Sequence, residues 1–185
     1  MKVAIAGVSI LMLAGCVNQQ NVEKASLTPV NCEGSVELPA HLADHFEAAE
    51  DAALLENALG APEEGKLCQG KVYVSKEASN VTLFRAWNST NPYSQFGQWW
   101  AHEVPAGDVA KYRENYEICY QWSPLDKLVT CHLKPGTKVV IGTGQSAKCS
   151  EYLTYDVSAS QQVYIENSAD VVANCSVKEG VFEWK

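Results

Sequence analysis

The sequence predicts an α+β fold, with an N-terminal helix and a mainly antiparallel, disulfide-stapled sheet, and three observations carry that prediction. Apolar residues recur at helical spacing between residues 38 and 58. From Lys71 onward, short β-like runs are separated by turn residues. Six cysteines beyond Cys16 form an even set in a chain that opens with an export signal.

That signal comes first. Lys2 is followed by an apolar run from Val3 to Leu13 and then by Leu13-Ala14-Gly15-Cys16. The run is too short to span a bilayer as a mature helix and reads as a secretory leader. Its end has the form of a bacterial lipobox, in which small residues precede a cysteine whose thiol takes the lipid. Residues 1–15 are therefore expected to be a lipoprotein signal peptide, and residues 16–31 the lipidated Cys16 with a polar tether. Residues 32–185 then form a single disulfide-stabilised domain. Acyl chains on Cys16 would be the membrane attachment. Val17 stands where Asp commonly marks inner-membrane retention, so the outer membrane is the expected location.

The formal net charge of −8 becomes −9 once Lys2 leaves with the leader. An acidic domain has no field to draw in nucleic acid, so that partner class is set aside. Asp44, Glu47, Glu50, Asp51, Glu56, Glu63 and Glu64 fall together without a Lys or Arg between them, as on a solvated helix face. Cys32, Cys68, Cys119, Cys131, Cys149 and Cys175 are expected to form three disulfides in an oxidising compartment. Spacing leaves the pairing open; Cys119 with Cys131 is the preferred local pair, because Trp122-Ser123-Pro124-Leu125-Asp126 between them reads as a turn. Zinc-type Cys/His spacing is absent and no metal is expected.

Within the domain, Leu42, Phe46, Ala49 and Ala53 place one helix over 38–58, with Gly60-Ala61-Pro62 as its stop. Strand patterns follow at 71–74, 81–87, 127–133, 138–142, 161–165 and 181–184. Lys134-Pro135-Gly136-Thr137 signals a tight turn, and so a hairpin between the third and fourth runs. Asp108 is placed to cap a second helix over 108–116.

Several motifs bear on chemistry. Gly142-x-Gly144-x-x-Ala147 has the spacing of a dinucleotide loop, but Lys148-Cys149-Ser150-Glu151 follows where a helix must open, so it reads as a strand-to-loop turn. Ser146 lies outside a G-x-S-x-G elbow. His41 and His45 lie one helical turn apart without a third ligand and read as solvent-facing.

A different order runs through the second half. Arg85 lies in an apolar strand pattern, Gly97-Gln98-Trp99-Trp100-Ala101-His102 precedes the second helix, and Gln161-Gln162-Val163-Tyr164-Ile165 opens a late strand with amides. Over about residues 81–166 this resembles the ADP-ribosyltransferase-like superfamily, and within it the necrotizing-toxin type of secreted NAD glycohydrolases. The resemblance implies that Arg85 binds NAD phosphate through its planar guanidinium, and that Trp99 and Trp100 flank the nicotinamide pocket. It puts Gln162 at the catalytic position of the last strand, with Glu166 nearby and Tyr164 on the substrate side. His102 stands where Thr or Ser is typical and would serve as a polar substrate contact. Transferase members carry Glu-x-Glu where Gln162-x-Tyr164 stands here, which favours glycohydrolase over protein modification, or no activity at all. NAD enters as substrate, with no cofactor. The alternative is a non-catalytic envelope lipoprotein acting as a binding, inhibitor or immunity module, with Phe84, Trp87, Phe96 and the tryptophans as core and Arg85 pointing outward. A protein target fits either reading.

Overall fold

A computed structural model describes residues 32–178. Cys16, the leader, the tether and the expected strand at 181–184 lie outside the described residues. The α+β class holds: among the described residues are four short helices, ten strands in mainly antiparallel sheets, and three disulfides.

The expected helix over 38–58 is three elements: α1 (Ala40–Ala43), β1 (Phe46–Ala48) and α2 (Ala52–Ala58). Leu42 and Phe46 have helical spacing but are both buried in the core between two sheets, and Phe46 pairs with Ser75 as an edge strand. The free edge of β2 (Leu67–Ser75) recruits the segment, which covers an otherwise unpaired ladder. Asp51 then restarts a helix by accepting a hydrogen bond from the Leu54 amide at 3.2 Å.

Five strands form the larger sheet in the order β1-β2-β6-β9-β4, with β4 (Trp99–Trp100), β6 (Lys138–Gly144) and β9 (Gln161–Tyr164). The smaller sheet is β10-β5-β3, made of β3 (Thr82–Trp87), β5 (Lys127–Leu133) and β10 (Val172–Lys178). β7 (Ala147–Lys148) and β8 (Thr154–Tyr155) form a separate ribbon. β5 and β6 are therefore not a hairpin. The Lys134–Thr137 turn carries the chain from one sheet to the other, held where Gly136 donates to the Ser75 carbonyl at 2.8 Å.

Leu83, Val129, Cys131, Val139, Ile141, Val163 and Trp100 fill the space between the sheets. The opposite face of the larger sheet is covered by Leu54 and Ala58 of α2, which pack on Leu67, Val72, Val140 and Tyr164. The sheets join at one seam, where Phe84 and Ala101 exchange two backbone hydrogen bonds of 2.8 Å.

The disulfides are Cys32–Cys68, Cys119–Cys149 and Cys131–Cys175. Cys119 does not pair with Cys131. Cys131 is fully buried in β5, where its neighbour is the bulged part of β10, while Cys119 packs with Ala147 and Cys149. The acidic residues of 44–64 lie on several elements rather than one helix face, and two have cationic partners: Asp51–Lys138 at 3.0 Å and Glu63–Lys148 at 3.5 Å.

Candidate active site

Beside the seam of the two sheets lies a cavity of about 380 Å³, and Arg85, Trp99, Trp100 and Gln162 all line it. α3 (Val109–Asn115) supplies another wall through Tyr112, and the segment that follows it supplies Tyr116 and Glu117. Half-exposed Trp122 reaches the cavity with its ring edge over Gly65.

Arg85 has the strand parity of Leu83 and Trp87, both buried in the inter-sheet core, so it does not point outward. Its Nε donates to the Ser94 carbonyl at 2.7 Å and its Nη1 to the Trp99 carbonyl at 2.6 Å. A side chain at Gly97 would overlap the guanidinium, so glycine there lets the loop close over it. No carboxylate pairs with Arg85 among the described residues. Burial pushes its pKa down to about 10, which leaves it cationic at neutral pH. Two of its five N–H groups are bonded to carbonyls, and the other three have no acceptor among the described residues.

Trp99 and Trp100 face opposite sides of β4, as strand alternation requires. The Trp99 ring lies 5.0 Å from that of Tyr164. Trp100 is buried between the sheets, its Nε1 donating to the Gly97 carbonyl at 2.8 Å. Tyr164 thus supports Trp99 from behind rather than lining the cavity, and its hydroxyl accepts from Gln98 Nε2 at 3.0 Å.

Gln162 is buried in β9, with its Nε2 donating to Glu117 Oε2 at 2.8 Å and lying 3.5 Å from the Tyr116 carbonyl. Glu117 is 2% exposed and sits just past the end of α3 with φ of 48°. That left-handed position favours glycine and costs a glutamate about 1–2 kcal/mol. Its carboxyl lies over Gly144, where a Cβ would fall inside it, and its Oε1 has no hydrogen-bond partner. Burial pushes its pKa up to about 8, opposed by hydrogen bonding from Ser158 and Gln162, so the group is mostly neutral at pH 7. Burial likewise raises the phenols of Tyr112 and of Tyr116, the latter to about 12.

Besides Tyr164, two more residues expected in the site lie outside the cavity lining. Glu166 is exposed and accepts from Asn57 Nδ2 at 3.0 Å, outside the cavity lining. His102 is buried against His41, with His41 Nε2 to His102 Nδ1 at 3.2 Å. The chain turns at Ala101 after its bridge to Phe84, which carries His102 away from the lining residues. Desolvation lowers the His102 pKa. His41 is thus half of a histidine pair, and no group of three or more metal-ligating side chains occurs among the described residues.

Sequence reasoning passed over Glu117 and Trp122. Glu117 carries no motif; the available signal was Gly144, a glycine within a strand that marks a close approach. No known family's sequence model matches the chain, and no curated protein matches it. Among solved structures it is similar to a chain from the complex of Tne2 with Tni2, at 14% identity and a TM-score of 0.41, over 65% of this chain and 99% of that one.

Proposed function

We propose that this domain consumes NAD as a glycohydrolase of the ADP-ribosyltransferase-like type. The observation that supports the reading is the convergence of Arg85, Trp99, Trp100 and Gln162 on one cavity, since these residues come from three separate strands. About 380 Å³ is near the lower end of small-molecule sites, enough for the nicotinamide, ribose and adjoining phosphate rather than a whole dinucleotide. In this reading Arg85 holds phosphate and Trp99 offers a ring face to the nicotinamide. Gln162 orients the ribose. The bond from C1′ to the pyridinium nitrogen breaks, its electron pair goes to the ring, and nicotinamide leaves neutral. Water then adds to C1′ and loses a proton to solvent. The site contributes orientation and fixed dipoles toward the cationic carbon.

A second reading is a binding, inhibitor or immunity module that holds a ligand in the same cavity without turning it over. It is favoured by Gln162, an amide where transferase members place a carboxylate. One experiment separates the two: incubate the purified, disulfide-intact domain with NAD and follow nicotinamide release for wild type, Arg85→Ala and Gln162→Ala. Release by wild type that falls at least about 100-fold in both variants supports the enzyme. Binding of NAD without release supports the module. We also propose that Cys16 anchors the domain to the outer membrane, so Cys16→Ser should move it to the soluble fraction. Unchanged fractionation refutes the anchor.

A further inference from the structure

Gln162 makes its two amide contacts on one side. Nε2 faces Glu117 Oε2 at 2.8 Å and the Tyr116 carbonyl at 3.5 Å, while Gln162 Oε1 has no partner among the described residues and keeps some accessible surface. A peptide carbonyl can only accept a hydrogen bond, so reversing the amide would set oxygen against oxygen at Tyr116. The carbonyl end is therefore the end left for a ligand.

We propose that Glu117 is a positioning residue that, together with the accept-only Tyr116 carbonyl, holds the Gln162 amide so that its carbonyl oxygen meets a ligand hydroxyl. The cavity then has two chemically distinct ends: a cationic donor at Arg85, which takes an anion, and a neutral acceptor at Gln162, which takes an O–H donor. A sugar hydroxyl beside a phosphate fits both, and a ligand with two anionic ends does not. With the NAD-consuming reading, on which the choice of ligand rests, the acceptor binds a ribose hydroxyl. It also turns the negative end of the amide dipole toward C1′ as positive charge develops there.

Three features support the assignment. Glu117 keeps a left-handed backbone conformation that a glycine would adopt more easily. Gly144 lacks the atom that would exclude the carboxyl, so the slot is made by two residues from distant parts of the chain. Burial keeps the carboxyl mostly neutral, so the slot puts little negative charge beside the amide.

The test has two arms. In the first, side-chain amide hydrogen exchange of Gln162 is measured by NMR on the ¹⁵N-labelled, disulfide-intact domain. The NH₂ group is expected to be protected in wild type and in Glu117→Gln, which keeps an acceptor, and unprotected in Glu117→Leu. In the second arm, kcat for nicotinamide release is expected to fall about 100-fold in Glu117→Leu, with KM changed less than about 3-fold and Glu117→Gln close to wild type. Should Glu117→Leu fail to fold, Gly144→Ala displaces the carboxyl while keeping the residue, and the same losses are expected. A Gln162 amide equally exposed in wild type and Glu117→Leu, or an unchanged kcat, overturns the proposal. A wild type that releases no nicotinamide overturns the NAD reading instead, and amide protection then decides the Gln162 orientation by itself.

Discussion

Glu117 should make the folded domain lose stability as pH rises, and Glu117→Gln should abolish that loss. In the fold the carboxyl titrates near about 8, against an ordinary value of 4.5. Between those values the native state binds a proton that the unfolded chain has released, so unfolding free energy falls by about 1.4 kcal/mol per pH unit. Below pH 4.5 both states are protonated and there is no penalty; above pH 8 both are ionised and the penalty is constant. The loss is about 3 kcal/mol at pH 7 and approaches about 5 kcal/mol by pH 9. Glutamine at 117 has no proton to lose. It still accepts from Gln162, but its own NH₂ would take the place of Oε1, which has no partner, at a pH-independent cost of about 1–3 kcal/mol. The measurement is urea unfolding of both proteins from pH 5 to pH 9 with the disulfides intact. The difference between the curves isolates this group from the other titrating residues, and Glu117→Gln should gain on wild type steadily from pH 5 to pH 8. Parallel curves would refute the buried neutral carboxyl and everything derived from it.

Two further outcomes follow from packing and covalent structure. Gly97→Ala puts a methyl group where the Arg85 guanidinium lies, so the bonds to the Ser94 and Trp99 carbonyls should be disturbed at a stability cost of about 1–3 kcal/mol. Titration with NAD should show affinity reduced about tenfold or more, and unaltered affinity would refute anion binding by a positioned Arg85. Non-reducing peptide mapping should recover Cys119 with Cys149 and Cys131 with Cys175, and the double variant Cys131→Ala/Cys175→Ala should lose about 2–5 kcal/mol; a Cys119–Cys131 peptide would refute the sheet arrangement.

What could be read from the sequence was local. The runs at 81–87, 127–133, 138–142 and 161–165 became β3, β5, β6 and β9 with small boundary shifts: β5 alternates along its length, while β6 and β9, buried on both faces, are short apolar runs bounded by turn residues. Asp108 likewise precedes α3, although its side chain makes no capping bond. The failures were non-local. Leu42 and Phe46 are four residues apart in a helix or in two short elements bent around a core, and only the open edge of β2 decides between these. The Lys134–Thr137 turn is as tight as predicted, but its two strands find partners in different sheets. β10 was missed because its residues after Val172 and Ala173 are exposed, which leaves no alternating signal.

The cavity shows the same division. Arg85, Trp99, Trp100 and Gln162 could be named in advance because each falls in a segment that the family resemblance picks out, whereas Glu117 lies in a turn outside those segments. Gly142-x-Gly144 connects the two cases. Its spacing is that of a dinucleotide loop but it reads as a strand-to-loop turn, and both glycines lie at the end of β6, with Gly142 opposite Gln162. A Cβ at 142 would strike the Gln69 carbonyl of the bulged β2, and one at 144 would strike Glu117. The glycines mark close approach, as in a dinucleotide loop, but what approaches is another part of this chain. In a nucleotide loop the absent side chains admit a phosphate; here the one missing at Gly144 admits a carboxyl from the protein itself, which occupies one side of the Gln162 amide and leaves the other side for a ligand. A glycine pair within a strand therefore points to the face it clears, and the residue to look for is the polar one that fills that space.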